Sequence, residues 1–238
     1  MPRRKLVAIH QPNFFPWLGY FNKLAHADVF VLLDNVQFPK TGGTWANRVR
    51  ILINGEPAWL TMPIVRSYHG TRLISEMKIN NAISWRDKML KTLQMNYARA
   101  PFFDEVLPFI SDLANNPTDS LVEFNQAAIR AMAEPIGLDI SKYVVASTLN
   151  VYGTATDLLI SIIKTVSGTA YLCGGGAANY QEDEKFNSAG LELIYQNFQH
   201  PLYPQVNANK FTLGLSIIDA LMNLGFDGCR LLLKARER

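Results

Sequence analysis

The stretch from Leu6 to Lys40, LVAIHQPNFFPWLGYFNKLAHADVFVLLDNVQFPK, decides the fold. It opens on Leu6-Val7-Ala8-Ile9, a short apolar run of the kind that makes a buried strand. His10, Gln11, Pro12 and Asn13 follow, then Phe14-Phe15-Pro16-Trp17. The spacing predicts a helix from about Pro16, because proline is tolerated at a first helical position and Leu18, Phe21, Leu24 and Ala25 recur at helical intervals. A second apolar run, Val29 to Leu33, reads as the next strand and ends in Asp34-Asn35. The result is a β-loop-α-β unit whose polar residues gather where the two strands end. In an open parallel sheet, side chains just past the carboxyl ends of the strands line the ligand crevice. His10, Gln11 and Asn13 after the first strand, and Asp34, Asn35, Gln37 and Lys40 after the second, are therefore expected to face one another across such a crevice. A helix entry dressed with turn residues, with His10 bonded to backbone, is the competing reading for His10 alone.

Beyond Lys40, Thr41-Gly42-Gly43-Thr44 reads as a turn, and polar and apolar residues alternate from Asn47 to Ile53 as in a half-buried strand. Asn54-Gly55 is a hairpin signal, with Pro57 to Pro63 returning. Asn47 then shares a face with Val49 and Ile51, while Arg48 and Arg50 lie opposite, either reaching an anion at the Lys40 loop or facing solvent on an edge strand. Ile74 to Ile79 reads as a further short strand. Helices are expected from Ser84 to about Tyr97, from Pro101-Phe102 to Asn115 and from Ser120 to Glu134. They form an inserted block over residues 84–136, with breaks at Pro117, Pro135 and Gly137. A strand from Lys142 to Ala146, a helix from Leu158 to Val166 and a strand from Ala170 to Leu172 repeat the opening pattern. The last of these runs into Cys173-Gly174-Gly175-Gly176-Ala177-Ala178-Asn179-Tyr180. Consecutive glycines cost backbone entropy and are kept where the chain approaches something closely, and their amides can line an anion-binding concavity. The loop lacks the lysine and hydroxyl pair of a GxxxxGK[ST] motif and does not fit GxGxxG. Cys173 reads as a small buried residue before it reads as a nucleophile. A strand from Leu191 to Tyr195, the polar and aromatic run Gln199 to Gln205, and a helix from Ser216 to a stop at Gly225 complete the chain.

The 238 residues suit a single α/β domain with the helical block as its subdomain. A hydrophobic fraction of 48% and a charged fraction of 18% describe a chain able to bury a full core. No apolar run approaches the roughly 18 residues of a membrane helix, and Leu6 to Ile9 is too short for the core of a signal peptide. With only Cys173 and Cys229 as cysteines, the chain is expected to be cytoplasmic and free of structural disulfides. The net charge of +3 is scattered apart from the two termini, which argues against a nucleic-acid surface. His10, His26, His69 and His200 fall in no metal-ligand spacing, so no metal is expected. Cofactor and oligomeric state are left open.

IHQPNFFPWLGYFNKL followed by DVFVLLDNVQFPK resembles the opening of the WbqC-like protein family, and the Gly174–Tyr180 and Gln199–Gln205 segments are similar to later parts of it. Members of that family sit in bacterial O-antigen and other surface-polysaccharide clusters. The resemblance implies a transferase that places a glycyl or other aminoacyl group on a sugar. A fainter similarity links the strand, His-bearing loop, helix and strand to adenylyltransferases with an HxGH signature. Here Trp17-Leu18-Gly19-Tyr20 has tyrosine where the second histidine would fall and no histidine before the glycine.

The fold class expected is α/β, a mainly parallel Rossmann-like (nucleotidyltransferase-like) sheet with a β-hairpin and an inserted helical block. Aromatics amid neutral hydrogen-bonding groups suit a sugar or sugar nucleotide. His10 is expected to act as base with His200 as its acid or base partner, histidine being able to exchange a proton near neutral pH. Lys40 serves a departing phosphate if the reaction is nucleotidyl transfer. Gln11, Asn13, Trp17, Tyr20, Asp34, Asn35, Gln37, Arg48, Gly174, Gly175, Gly176, Tyr180 and Tyr203 are the candidate binding residues. A non-catalytic binder of sugar nucleotides is the alternative from another class.

Overall fold

The computed structural model describes residues 4–174 and 182–234. Strand β1 (Leu6–His10), helix α1 (Leu18–His26) and strand β2 (Val29–Leu32) form the expected opening unit. The hairpin β3 (Arg48–Ile53) and β4 (Glu56–Thr61) comes next, followed by α2 (Trp85–Tyr97), α3 (Phe103–Ala114) and α4 (Leu121–Ala133). The chain then alternates through β5 (Tyr143–Val145), α5 (Ala155–Thr165), β6 (Ala170–Gly174), α6 (Asp183–Ser188) and β7 (Glu192–Gln196) before α7 (Ile217–Lys234).

Five strands make one sheet in the order β5-β2-β1-β6-β7, and every pairing within it is parallel. Chain order thus reverses at β1, with β2 and β5 on one side and β6 and β7 on the other. The central strands β1, β2 and β6 are almost wholly apolar and buried because both faces are covered, whereas edge strand β7 is partly exposed. Leu6 and Ala8 of β1 join Phe30, Leu32 and Leu172 in a core shared with α1 and α7. Val7 and Ile9, one residue out of phase, join Val31, Tyr171 and Cys173 against Leu158 and Ile162 of α5 and Phe186 of α6. The first core continues without a break into the helical block through Trp85, Leu93, Val106, Ile110 and Phe124.

The hairpin forms a separate antiparallel pair, with Ile53 opposite Glu56 and Arg50 opposite Trp59. Asn54 and Gly55 both take positive φ (52° and 81°), as a two-residue turn matched to the twist of its strands requires. One expectation is corrected. Ile74–Glu76 is a 3₁₀ turn rather than the start of a strand. The Leu73 amide donates to the Glu76 carboxylate at 2.7 Å, and the Ser75 amide donates to the distant Asp34 carbonyl at 2.9 Å, so a turn anchored at the end of β2 replaces a ladder. The helix from Ile217 ends at Gly225 as expected, the backbone leaving helical geometry there (φ 68°, ψ −177°), and a second helical stretch follows the kink to Lys234, burying Cys229 and Leu233.

Candidate functional site

The loop after β1 is fixed from three directions. The Phe14 amide donates to the Trp45 carbonyl at 2.8 Å, and the Ile217 amide donates to the Pro16 carbonyl at 2.8 Å. Asn125 of α4, fully buried, donates to the carbonyls of Pro12 (2.8 Å) and Ala46 (2.7 Å), and Ser216 donates to the Phe15 carbonyl at 2.7 Å. This bracing holds Phe15 at φ 40°, a conformation that a non-glycine residue keeps only where its surroundings over-determine it. Phe14, Phe15, Trp85 and Phe124 pack ring against ring beneath the loop.

His10 ends β1 on the α1 face, its ring edge-on to Tyr20 with centroids 4.7 Å apart. Its Nδ1 lies 3.1 Å from the Gln11 carbonyl. A carbonyl only accepts, so Nδ1 carries the proton and Nε2 is left as an acceptor. Desolvation pushes the imidazole pKa down to about 3; the charge of Lys23 adds to the shift and the Gln11 bond opposes it.

Lys23, which the sequence reading passed over, is the group these observations converge on. It is 3% exposed, and its Nζ donates to the Ile9 carbonyl at 3.3 Å. No carboxylate lies within ion-pair distance of it among the described residues. Burial lowers its pKa to about 8, with Cys173 opposing. A Cβ placed on Gly174 would sit 3.8 Å from Nζ, so the ammonium group lies between the carboxyl ends of β1 and β6, where the strand order reverses. Gln196, paired with Gly174 at the end of β7, donates to the Gly19 carbonyl (2.8 Å) and to Asn22 Oδ1 (2.9 Å). A cavity of about 290 Å³ beside this bond is lined by Asn22, Gln196 and Phe198 and runs on to Arg4, Leu6 and His26; Lys23, His10 and Gly174 are not among its lining residues. The signal available in the sequence was that Leu18–His26 contains no acidic residue to pair with a lysine, on a helix short enough to be packed on every side.

The remaining expected residues divide. Tyr20 Oη, Asn13 Oδ1 and Asn35 Oδ1 are buried without a hydrogen-bond partner among the described residues, and burial together with Tyr143 raises the Tyr20 pKa. Gln11 is half-buried beside His10. Trp17 caps the start of α1 and stacks on His200 with centroids 5.0 Å apart; Phe198 meets both rings edge-on. Asp34 turns away from His10 to the far side of β2. It accepts from the Ser147 amide (2.9 Å) and hydroxyl (2.6 Å), which ties the ends of β2 and β5 together. Gln37 is exposed and bridges to Leu73. Lys40 is also exposed, and its carbonyl accepts from Arg66 at 2.7 Å. Arg48 lies on the hairpin over Trp59. Tyr203 donates to Asp219 Oδ1 at 2.8 Å, while Tyr97 donates to Oδ2 at 2.9 Å; burial outweighs these bonds and lifts the Asp219 pKa to about 6. Gly175, Gly176 and Tyr180 lie outside the described residues. Cys173 is buried in the second core with Sγ 3.4 Å from the Ile194 carbonyl. Among the described residues, no cluster of three or more His, Cys, Asp or Glu side chains is arranged to hold a metal ion, and no helix is long and apolar enough to cross a membrane.

Comparison with known proteins bears on the chain as a whole. It is 25% identical over 223 residues to the uncharacterized protein Rv1507c of Mycobacterium tuberculosis, covering 93% of this chain and 94% of that one. No solved structure matches. The model of the WbqC-like protein family spans residues 11–231, and the chain belongs to that family.

Proposed function

We propose that this protein is a transferase of bacterial surface-polysaccharide biosynthesis, one that moves a small acyl or aminoacyl group, glycyl among them, onto a sugar or sugar nucleotide held on a Rossmann-like sheet. The observation that carries the proposal is the buried ammonium group of Lys23 at the reversal of strand order, bonded to the Ile9 carbonyl but with no carboxylate partner among the described residues. Buried charges are ordinarily paired, and in a doubly wound sheet this is where ligands bind. A ligand bringing its own anion, as a nucleotide sugar does, supplies the missing charge. The Tyr20 hydroxyl, on a ring packed against His10 and without a hydrogen-bond partner among the described residues, supports neutral hydrogen bonding to the same ligand.

In this reading Lys23 holds the anion and His10 Nε2 accepts the hydrogen bond of the attacking sugar hydroxyl. An anion beside Lys23 offsets the charge that helps to suppress the imidazole, so ligand binding raises the proton affinity of His10. The imidazole then takes the hydroxyl proton as oxygen attacks the acyl carbonyl and the donor's leaving group departs. The acyl portion rests on family membership.

The test is to identify, by thermal stabilisation, a nucleotide sugar that binds, and then to incubate the complex with activated acyl and aminoacyl donors and follow the sugar by mass spectrometry. A mass gain equal to the acyl group with the native protein, absent with His10→Gln, is the expected result. Stabilisation without product from any donor would instead support a non-catalytic binder.

A further inference from the structure

We propose that the outer face of the β3–β4 hairpin is a second binding site, for an anionic saccharide, built from Trp45, Arg48 and Trp59. Its choice of ligand class rests on the sugar-transferase reading; the site itself does not share residues with the Lys23 cluster.

The pairing of Arg48 with Thr61 and of Arg50 with Trp59 puts these four side chains on one face of the hairpin, while Val49 and Ile51 are buried on the other. On the outer face Trp45 and Trp59 remain 41% and 45% exposed although their rings touch, with centroids 5.4 Å apart at 62°. The Arg48 guanidinium lies 4.2 Å from the Trp59 ring centre, close enough for the cation to be held by the ring face. Neither Arg48 nor Arg50 forms an ion pair among the described residues. Two angled indoles beside an unpaired guanidinium match a sugar bearing a phosphate or carboxylate. The apolar C–H face of the pyranose stacks on an indole, and the anion takes charge-assisted hydrogen bonds from Arg48.

The surface is held in place for this. A Cβ on Gly43 would lie 2.7 Å from Arg48 Cδ, so glycine there leaves the arginine its position. Arg66 grips the neighbouring turn through the carbonyls of Pro39, Lys40 and Gly42. The Trp45 carbonyl is bonded to Phe14 of the opening loop. Arg50 reaches the Leu213 carbonyl at 3.2 Å beside Gly214, which neighbours His200, itself stacked on Trp17. The platform is therefore linked through Arg50, the backbone at Leu213–Gly214 and His200 to Trp17 at the start of α1.

The four tryptophans give the test its reporters. Indole N–H resonances of the full-length protein are assigned by single Trp→Phe variants and followed while α-D-glucose 1-phosphate is added. Saturable movement of the Trp45 and Trp59 signals is expected, with binding weakened about tenfold in Arg48→Gln, while inorganic phosphate alone leaves both signals in place. Stationary Trp45 and Trp59, an equal response to phosphate alone, or unchanged binding in Arg48→Gln would overturn the proposal. Trp85, buried in the helical block, reports that the variants fold. Trp17 reports the crevice separately. A nucleotide sugar that moves Trp17 while glucose 1-phosphate leaves Trp45 and Trp59 unmoved sinks the hairpin site and spares the transferase reading.

Discussion

An ammonium group taken out of water without a counter-charge destabilises the state that buries it, and Lys23 has no carboxylate partner among the described residues. Its folded pKa of about 8 lies below the ordinary 10.5, so the unfolded chain binds the proton more tightly. The cost is fully present below pH 8 and fades as pH rises from there to 10.5. Lys23→Met is accordingly expected to be more stable than the native protein at pH 7 by about 3 kcal/mol, with the difference closing by pH 10.5. Urea midpoints across that range measure it. An imidazole held at about 3 instead of 6.5 works at the acid end: as pH falls below 6.5 the unfolded state is protonated first and stability drops. His10→Gln should lose less stability between pH 6.5 and pH 4 than the native chain does. Tyr97 is a different case, since its hydroxyl both donates to Asp219 and accepts from the Leu52 amide at 3.0 Å. Tyr97→Phe leaves both groups buried with one partner fewer and should cost about 1–3 kcal/mol in chemical denaturation. Of these residues, His10 could be picked out from its place after a strand. Lys23 left only the weak signal of a helix without acidic residues, because a lysine on a helix reads as solvated until the packing on every side of that helix is known.

At the scale of elements, the local signals translated well where one chemical rule decides the geometry. Asn54-Gly55 gave its turn, and the alternation of Asn47 to Ile53 gave the faces of β3, because both depend only on neighbours in sequence. Gly55→Ala should cost about 1–3 kcal/mol, since φ there is 81° and a Cβ would meet the Asn207 carbonyl at 2.6 Å; a thermal melt would register it. Where distant parts decide, less was legible. Gly225 ends the first stretch of the last helix as its residue type implies, but the second stretch beyond it and the approach of Phe102, its ring 2.7 Å from where a Cβ would be, follow from packing. Ile74 to Ile79 has the composition of a strand, but Ile74–Glu76 closes into a 3₁₀ turn and only Lys78 and Ile79 form isolated bridges, to Ser120 and Ile64. The two edges of the opening loop, supplied by Asn125 and Ser216, come from residues over 100 positions away and leave no trace in the local pattern.

For the molecule as a whole, the alternation of strand and helix was enough to name an α/β fold, but not to order its strands. The opening unit alone suggests a crevice between β1 and β2. The sheet order β5-β2-β1-β6-β7 puts the reversal on the other side of β1, next to β6. That single fact reassigns the polar residues: Asp34 becomes a tie to β5, and Lys23, His10 and Gly174 become the group at the reversal. The account therefore stands on an anion binding beside Lys23. Binding such an anion must raise the Lys23 pKa above its free value of about 8, so at pH 8 the complex must take up as much as about half a proton. Calorimetric titration of a stabilising nucleotide sugar in buffers of different ionisation enthalpy reads this directly. Proton uptake in the native protein, with neither uptake nor comparable affinity in Lys23→Met, is the expected result; equal affinity in both proteins with no proton taken up by either would contradict it.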